Sequence, residues 1–454
     1  MSEQKILPKR MIGGGKWVRF STSFAFKSLN ERLPKIVTGI VDRLHRFHHN
    51  AVDKWGKEAG DDVTAVIAKL SEMRYRMMTD KSLEPISSEF PDAALWNDEI
   101  DQLNKERKET QSEANESDGS ANWYGSPWMF VECYMYRRIR QFFQQSQFLR
   151  EFDPFNEDKE KSYRDSSKYM LAIGTELVRE IDAVLSAEEI RRMVLRLLQI
   201  SLWGNKCDLS LTGGDPHFMS DTIFHELDQL RPHILADDLD KAVDEYLGRP
   251  QKRIDIVLDN SGLEVFVDLC LSDFLLSKGL ASKVHLHGKE YPWFVSDTME
   301  KDLKWIIEQL SAEGDEFLSK LGKRWNDHLQ KGTLSFEAHP FWTRSFDYST
   351  MREKAPELYE HLAQSALVIF KGDMNYRKLV GDRAWPHQTP FSEALCGFCP
   401  TTLLALRTLK AETVAGVPLE SLRKIKEKFG EKDLSWMSSS EYAVAQLCKR
   451  RNGP

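Results

Sequence analysis

The most constraining feature of the chain is one passage from strand to turn to helix at residues 254–279. Ile254, Ile256, Val257 and Leu258 are apolar, and the run then breaks into Asp259-Asn260-Ser261-Gly262. A strongly apolar stretch follows from Leu263 to Lys278 and stops at Gly279. The pattern predicts a buried strand, a tight polar turn and a helix closed by a glycine. In α/β proteins ligands bind beyond the carboxyl ends of the strands, beside the positive ends of helix dipoles. Asp259 and Asn260 fall there, and Glu264 and Asp268 follow at the start of the helix. On this segment alone two readings stand: an oxygen ligand set, or a turn whose aspartate helps cap the helix.

The second half of the chain repeats the alternation. Val284-His285-Leu286-His287 reads as a strand, Trp293 to Asp297 as a further strand or loop, and Thr298 to about Leu321 as a helix. Ala366 to Phe370 is a second buried strand, ending in Lys371-Gly372-Asp373. Residues 401–411 suit strand or helix, and helices are expected to close the chain through about Arg450. Short apolar strands alternating with helices predict an α/β fold with a mainly parallel sheet covered on both faces.

The first 200 residues look all-helical. Apolar residues recur at helical spacing from Pro34 to Phe47 and again over residues 61–79. Residues 98–122 are polar, a loop or solvated helix with a linker, whereas the aromatics of 123–149 fall at core helical spacing. Residues 221–247 read as a solvated acidic helix. The expected domains are a flexible tail at 1–20, a helical domain at 21–245 and an α/β metal- and phosphate-binding domain at 246–454.

Composition narrows the function. At 454 residues, 41% hydrophobic and 29% charged, the chain resembles an ordinary soluble protein with room for two or three domains. No apolar run approaches the roughly 18 residues that span a bilayer. Met1 to Lys5 lack the apolar core of a signal peptide. An intracellular location, cytoplasm or nucleus, is expected, without a membrane partner. A net charge of −7 gives no sign of a general nucleic-acid binder, and no nucleic-acid partner is expected. Six scattered cysteines argue against a disulfide framework, and Cys396-Gly397-Phe398-Cys399 lacks a second pair. Gly13-Gly14-Gly15-Lys16 has no preceding strand and no following Ser or Thr, so it is not a phosphate loop. His45 and His49 have metal-ligand spacing but no acidic partner, and read as surface residues.

The chemistry gathers in the α/β half. Asp259-Asn260, Asp297 and Asp373 end strands or loops, and Asp297 follows Asp259 by about one β-α-β unit. Two aspartates and an asparagine carbonyl suit a hard divalent cation and leave positions open for water and substrate. Lys371, Arg377 and Lys378 flank Gly372-Asp373-Met374-Asn375-Tyr376, and Arg407-Thr408-Leu409-Lys410 lies further on. These cations suit phosphate or carboxylate oxygens, or are surface charges near helix ends.

Six stretches in order resemble the metal-dependent damage-control phosphatase family, formerly a domain of unknown function. They are Phe24-Ala25-Phe26-Lys27 with Arg32-Leu33-Pro34, Gly204-Asn205-x-x-Asp208, Asp259-Asn260-Ser261-Gly262, Ser296-Asp297, Lys371 through Leu379, and Arg407-Thr408-Leu409-Lys410. The last resembles the Arg-Thr-x-Lys signature of one branch, and methionine stands at 374 where leucine is common. The resemblance implies an α/β/α Rossmann-like sandwich behind a helical N-terminal domain. It implies a divalent metal, Mg, Mn, Co or Ni, on Asp259, Asn260 and Asp297, the catalytic residues. It implies substrate contacts from Asp259 and Asn260, from Asp373, Met374, Asn375, Tyr376 and Arg377, and from Lys410. Asn205, Asp208, Lys371, Gly372 and Arg407 would support the site. The implied substrates are phosphorylated metabolites, notably sugar phosphates such as fructose 1-phosphate. Asp259 would orient water or act as nucleophile.

Two other functions compete. The branch's other name, acidic residue methyltransferase, suggests S-adenosylmethionine-dependent methylation of protein carboxylates. Against a glycine-rich cofactor loop, the 259–262 turn offers a single glycine. A non-catalytic sugar-phosphate sensor or interaction protein is the third reading.

Overall fold

The computed structural model describes residues 7–12, 23–110, 119–207, 227–248 and 252–450. The chain forms two compact units, Met1–Asn156 with Tyr291–Val295, and Glu157–Glu290 with Ser296–Pro454.

The first unit is helical. Leu33–Trp55 begins with Pro34 in its first turn, as a missing N–H permits. Lys57–Met78 and Ala93–Thr110 follow. Trp128–Gln144 is buried almost all round, so its aromatics are core, as their helical spacing predicts. Its Arg137 forks onto Asp92 through Nε and Nη2, each at 2.7 Å.

The second unit carries a seven-stranded sheet ordered β1-β7-β6-β5-β2-β3-β4. The strands are Ile234–Asp237 (β1), Lys252–Val257 (β2), Ala281–His287 (β3), Leu334–Glu337 (β4), Leu367–Lys371 (β5), Leu403–Thr408 (β6) and Ala443–Cys448 (β7). Only the β6–β7 pair is antiparallel. One face packs Ile254, Ile256, Val284 and Leu286 against the 167–182, 187–207 and 263–277 helices. The other packs Val257, Val368 and Phe370 against Tyr348, Leu358 and Leu362. The α/β sandwich with a mainly parallel sheet is therefore present.

Several expectations are revised. The unit boundary falls at Asn156, not 245, because the helices from 157 onward cover the sheet. The acidic stretch expected as helix over 221–247 contains β1, paired with β7 and followed by the Leu239–Leu247 helix, while 221–226 lies outside the described residues. The chain closes on strand β7, not on helices, and the ambiguous 401–411 holds β6. The single helix expected from 298 to 321 is two, Glu300–Ala312 and Glu316–Lys331, the second capped by Asp315. Most of the expected 1–20 tail lies outside the described residues.

The 263–277 helix is anchored by Asp273. Arg324 reaches it through Nη2 at 2.7 Å and the Trp325 indole through Nε1 at 2.8 Å. Burial would raise this carboxyl, yet His328, Arg324 and Trp325 outweigh it and hold it below its usual range. A depressed carboxylate contributes stability that is present above the unfolded pKa of about 3.9 and lost as pH falls through the folded value. Asp273→Asn should cost about 3 kcal/mol at neutral pH in urea denaturation, and the gap from wild type should close below about pH 4.

Candidate active site

The chain runs β2, β3, β4 to one edge and then returns to lay β5 on the free side of β2. The order reverses between β2 and β5, and such a switch point opens a crevice beyond the carboxyl ends. Asp259 follows β2 and Gly372-Asp373 follows β5, so both loops reach that crevice.

Their approach is close. Gly372 has φ +83°, and a Cβ there would overlap the Asp259 carboxylate. Gly262, at φ +75°, starts the 263–277 helix in a conformation that L side chains rarely adopt. Its Cβ position is 2.8 Å from Ser162 Oγ.

Asp297 arrives by a different route. It is not at a strand end but in the loop between β3 and the 300–312 helix, and it bridges Asn260 in antiparallel fashion. Ser261 N–H donates to Ser296 O at 2.7 Å, and Thr298 N–H to Asp259 O at 2.9 Å. Phe294 and Val295 just upstream have φ of 45° and 69°. That conformation costs on the order of 1–2 kcal/mol for an L residue, more for β-branched Val295.

The acidic groups crowd. Asn260 Nδ2 donates to Asp259 Oδ2 at 3.0 Å and to Glu264 Oε1 at 2.8 Å, while Ser296 donates to Asn260 Oδ1. Burial, then the Glu264 and Asp297 carboxylates, push the Asp259 carboxyl well above its usual range against Lys410 and Lys289. Burial also raises Asp297, with Lys289 opposing. Lys289 Nζ is 3.3 Å from Asp297 Oδ2, yet that buried oxygen has no hydrogen bond. A buried carboxylate oxygen met only by an ion pair, beside an Asp259 carboxyl that burial and neighbouring carboxylates push up, fits a hard divalent cation held by Asp259, Asn260 and Asp297.

Cations surround this centre in distinct roles. Lys371 is buried and ion-paired at 3.0 Å with Asp268, which also accepts from Ser201 at 2.7 Å. Arg407 is fully buried, bonded to Asp373 Oδ1 at 2.8 Å and Ala411 O at 3.0 Å, and lies 4.4 Å over the Tyr376 ring. Burial would raise Asp373, but Arg407, Arg377 and Lys410 hold it low. Arg377 forks onto Asp382 at 2.9 and 3.1 Å. Asn375 Nδ2 donates to Lys371 O at 2.7 Å and Leu258 O at 3.2 Å, tying the ends of β5 and β2 together. Tyr376 donates to Gln446, and Met374 is buried.

Lys410 differs. It is half-buried, its backbone N–H donates to Asp373 Oδ1 at 3.2 Å, and its ammonium makes no hydrogen bond among the described residues.

Asp259, Asn260, Asp297, Gly372, Asp373 and Lys410 thus share one crevice, while the side chains of Met374, Asn375, Tyr376, Arg377 and Arg407 face inward. Gly204 lies against Glu264, where a Cβ would be 3.1 Å from Cγ. The side chain of Asn205, and all of Asp208, lie outside the described residues. Sequence reasoning missed Lys289. Its position just past the end of β3 is the same mark that singled out Asp259.

Hard oxygen donors beside an ammonium, at the switch point of a parallel sheet, suit a cation-dependent enzyme acting on an anionic ligand. Residues 28–425 match the Damage-control phosphatase ARMT1-like domain. Curated relatives named Damage-control phosphatase ARMT1 include one from Bos taurus, 40% identical over 436 residues, covering 94% of this chain and 96% of its own. The Homo sapiens relative is 39% identical over 435 residues (93% and 96%), and the Danio rerio relative 37% over 458 (98% and 98%). The chain belongs to the ARMT1-like damage-control phosphatase family and is a phosphatase.

Two predictions follow from the geometry. Gly372→Ala should displace the Asp259 carboxylate and weaken divalent-cation binding about tenfold or more by calorimetry. Lys371→Met should cost about 3–5 kcal/mol in chemical denaturation by stranding Asp268, and adding Asp268→Leu should recover most of it.

Proposed function

We propose that the crevice hydrolyses phosphomonoesters of small metabolites, with sugar phosphates such as fructose 1-phosphate as the substrate class. One observation carries this reading: the Asn260–Asp297 bridge gathers hard oxygen donors from two loops next to the free ammonium of Lys410. A divalent cation on Asp259, Asn260 and Asp297, Mg²⁺, Mn²⁺, Co²⁺ or Ni²⁺, would supply Lewis acidity toward a phosphoryl oxygen and water.

The chain's own groups do the rest. Lys410 offers a charge-assisted bond to the phosphate, beside the amide-bearing start of the Gly372–Leu379 helix. Arg407 fixes Asp373 through Oδ1, which leaves Asp373 Oδ2 to accept a sugar hydroxyl. Lys289 steadies Asp297, and Lys371 with Asp268 supports the loop that touches Asp259.

The test is phosphate release from fructose 1-phosphate and related esters across the four metals. Turnover should require added metal and vanish with chelator and with Asp259→Ala. Lys410→Ala should lower kcat/KM about 10- to 100-fold, the worth of one hydrogen bond to a charged group. Turnover that survives both chelation and Asp259→Ala would remove the scheme.

A further inference from the structure

A second set of unpartnered buried atoms lies further back along β2, away from its carboxyl end. The parallel register pairs Asp255 with His285 and Val257 with His287. His361, on the Pro356–Ala363 helix, covers them, its ring 4.8 Å from that of His285 and 5.8 Å from that of His287. One ligand atom from each imidazole lies within 4.8 Å of the other two. His287 Nε2 is 4.0 Å from Asp255 Oδ1, and both side chains are fully buried. Asp255 Oδ1, both ring nitrogens of His287 and Nε2 of His361 are buried without a hydrogen bond. Buried polar atoms are nearly always partnered, so such a group is short of a ligand.

We propose that Asp255, His285, His287 and His361 form a second cation site that takes a zinc-class divalent ion. Imidazole nitrogens with one carboxylate oxygen suit Zn²⁺, Co²⁺, Ni²⁺ or Cu²⁺ and not Mg²⁺. Tetrahedral bonds of about 2.0–2.1 Å set donors about 3.3 Å apart, so the rings close inward by side-chain rotation. Asp255 is held for this role: its Oδ2 accepts from Arg253 at 3.0 Å and from the Ser365 hydroxyl, leaving Oδ1 toward His287. His285 has both nitrogens engaged, Nε2 with Glu337 and Nδ1 with the Ser335 hydroxyl, each at 3.1 Å. It joins by releasing the serine, and the retained glutamate orients the ring as outer carboxylates do for metal-bound histidines. Burial and the neighbouring His287 hold His285 down at about 4, so the ring is neutral at neutral pH and one nitrogen keeps the lone pair a cation needs. Arg253 is the opposing cation, offset by Asp255 and Glu337. Asp259 lies four positions beyond Asp255, about 13 Å at about 3.3 Å per residue of extended chain, so this ion fastens β2, β3 and the 356–363 helix and does not meet substrate.

The full-length protein, stripped with chelator, is titrated with Zn²⁺ against a chromophoric competitor and with Co²⁺ by visible absorption. Wild type and Asp259→Asn should both bind one zinc at this site. His361→Gln and His287→Gln should weaken it about tenfold or more, and should lose the intense visible bands of nitrogen-bound tetrahedral Co²⁺. Zinc should raise the Tm of wild type but not of His361→Gln. If His287→Gln does not fold, His361→Gln, at a half-exposed position, decides. Zinc bound equally by wild type and His361→Gln, zinc lost on Asp259→Asn, or none bound by wild type would overturn the proposal.

Discussion

The site depends on how closely the ends of β2 and β5 approach each other. The gap between Gly372 and Asp259 has no room for a single carbon. That contact brings the β5 loop, with Asp373 and the start of its helix, to the rim of the acidic centre. It is supported from below by Lys371 and Asp268, both buried. A buried ion pair is weak evidence for stability, because desolvation offsets much of the attraction. Its better-founded role here is registry. A lysine ammonium bonded to an aspartate on the 263–277 helix sets how far the β5 loop extends.

Asp297 is delivered by strain, not by a strand end. Two consecutive non-glycine residues with positive φ turn the chain just before it, and cross-loop bonds at Ser261 and Thr298 hold the result. Strained backbone persists only where its surroundings over-determine it. The surroundings here are the Asn260 bridge on one side and Lys289, whose backbone N–H donates to Thr298 O at 2.9 Å, on the other. A donor placed this way is pre-organised: the ordering cost is met by folding and not by binding of the cation.

Much of this was legible in the sequence, and the gaps have physical causes. β2 and β5 are buried on both faces, so their apolar runs stand out, and their polar exits mark Asp259, Asn260 and Asp373. β1 is four residues inside a charged stretch whose periodicity is helical on either side. β7 reads Ala-Val-Ala-Gln-Leu-Cys, which suits a helix as well as a strand until its antiparallel partner β6 is known. The boundary at 245 failed because an amphipathic helix announces that it has a partner, not which one. Asn375 and Arg377 share a motif with Gly372 and Asp373, but helical geometry turns their side chains inward, to Leu258 O and Asp382. Lys289 went unread because a lysine after a strand is common, and only the fold shows that it lies against Asp297.

The charges around the crevice are sorted by depth. Lys289, Lys371 and Arg407 are buried, and each faces an aspartate: Asp297, Asp268 and Asp373. They offset repulsion among the acids without leaving charge for an incoming anion. Removing any one would strand a carboxylate and disturb the centre as a whole. Lys410 lies further out, hydrogen-bonded to Asp373 through its backbone N–H. An anionic substrate therefore meets its free positive charge at the rim and its oxygen chemistry beneath. This order lets one crevice hold a cation among carboxylates and still attract a phosphate, because the cations that stabilise the acids and the cation that greets the substrate are different residues.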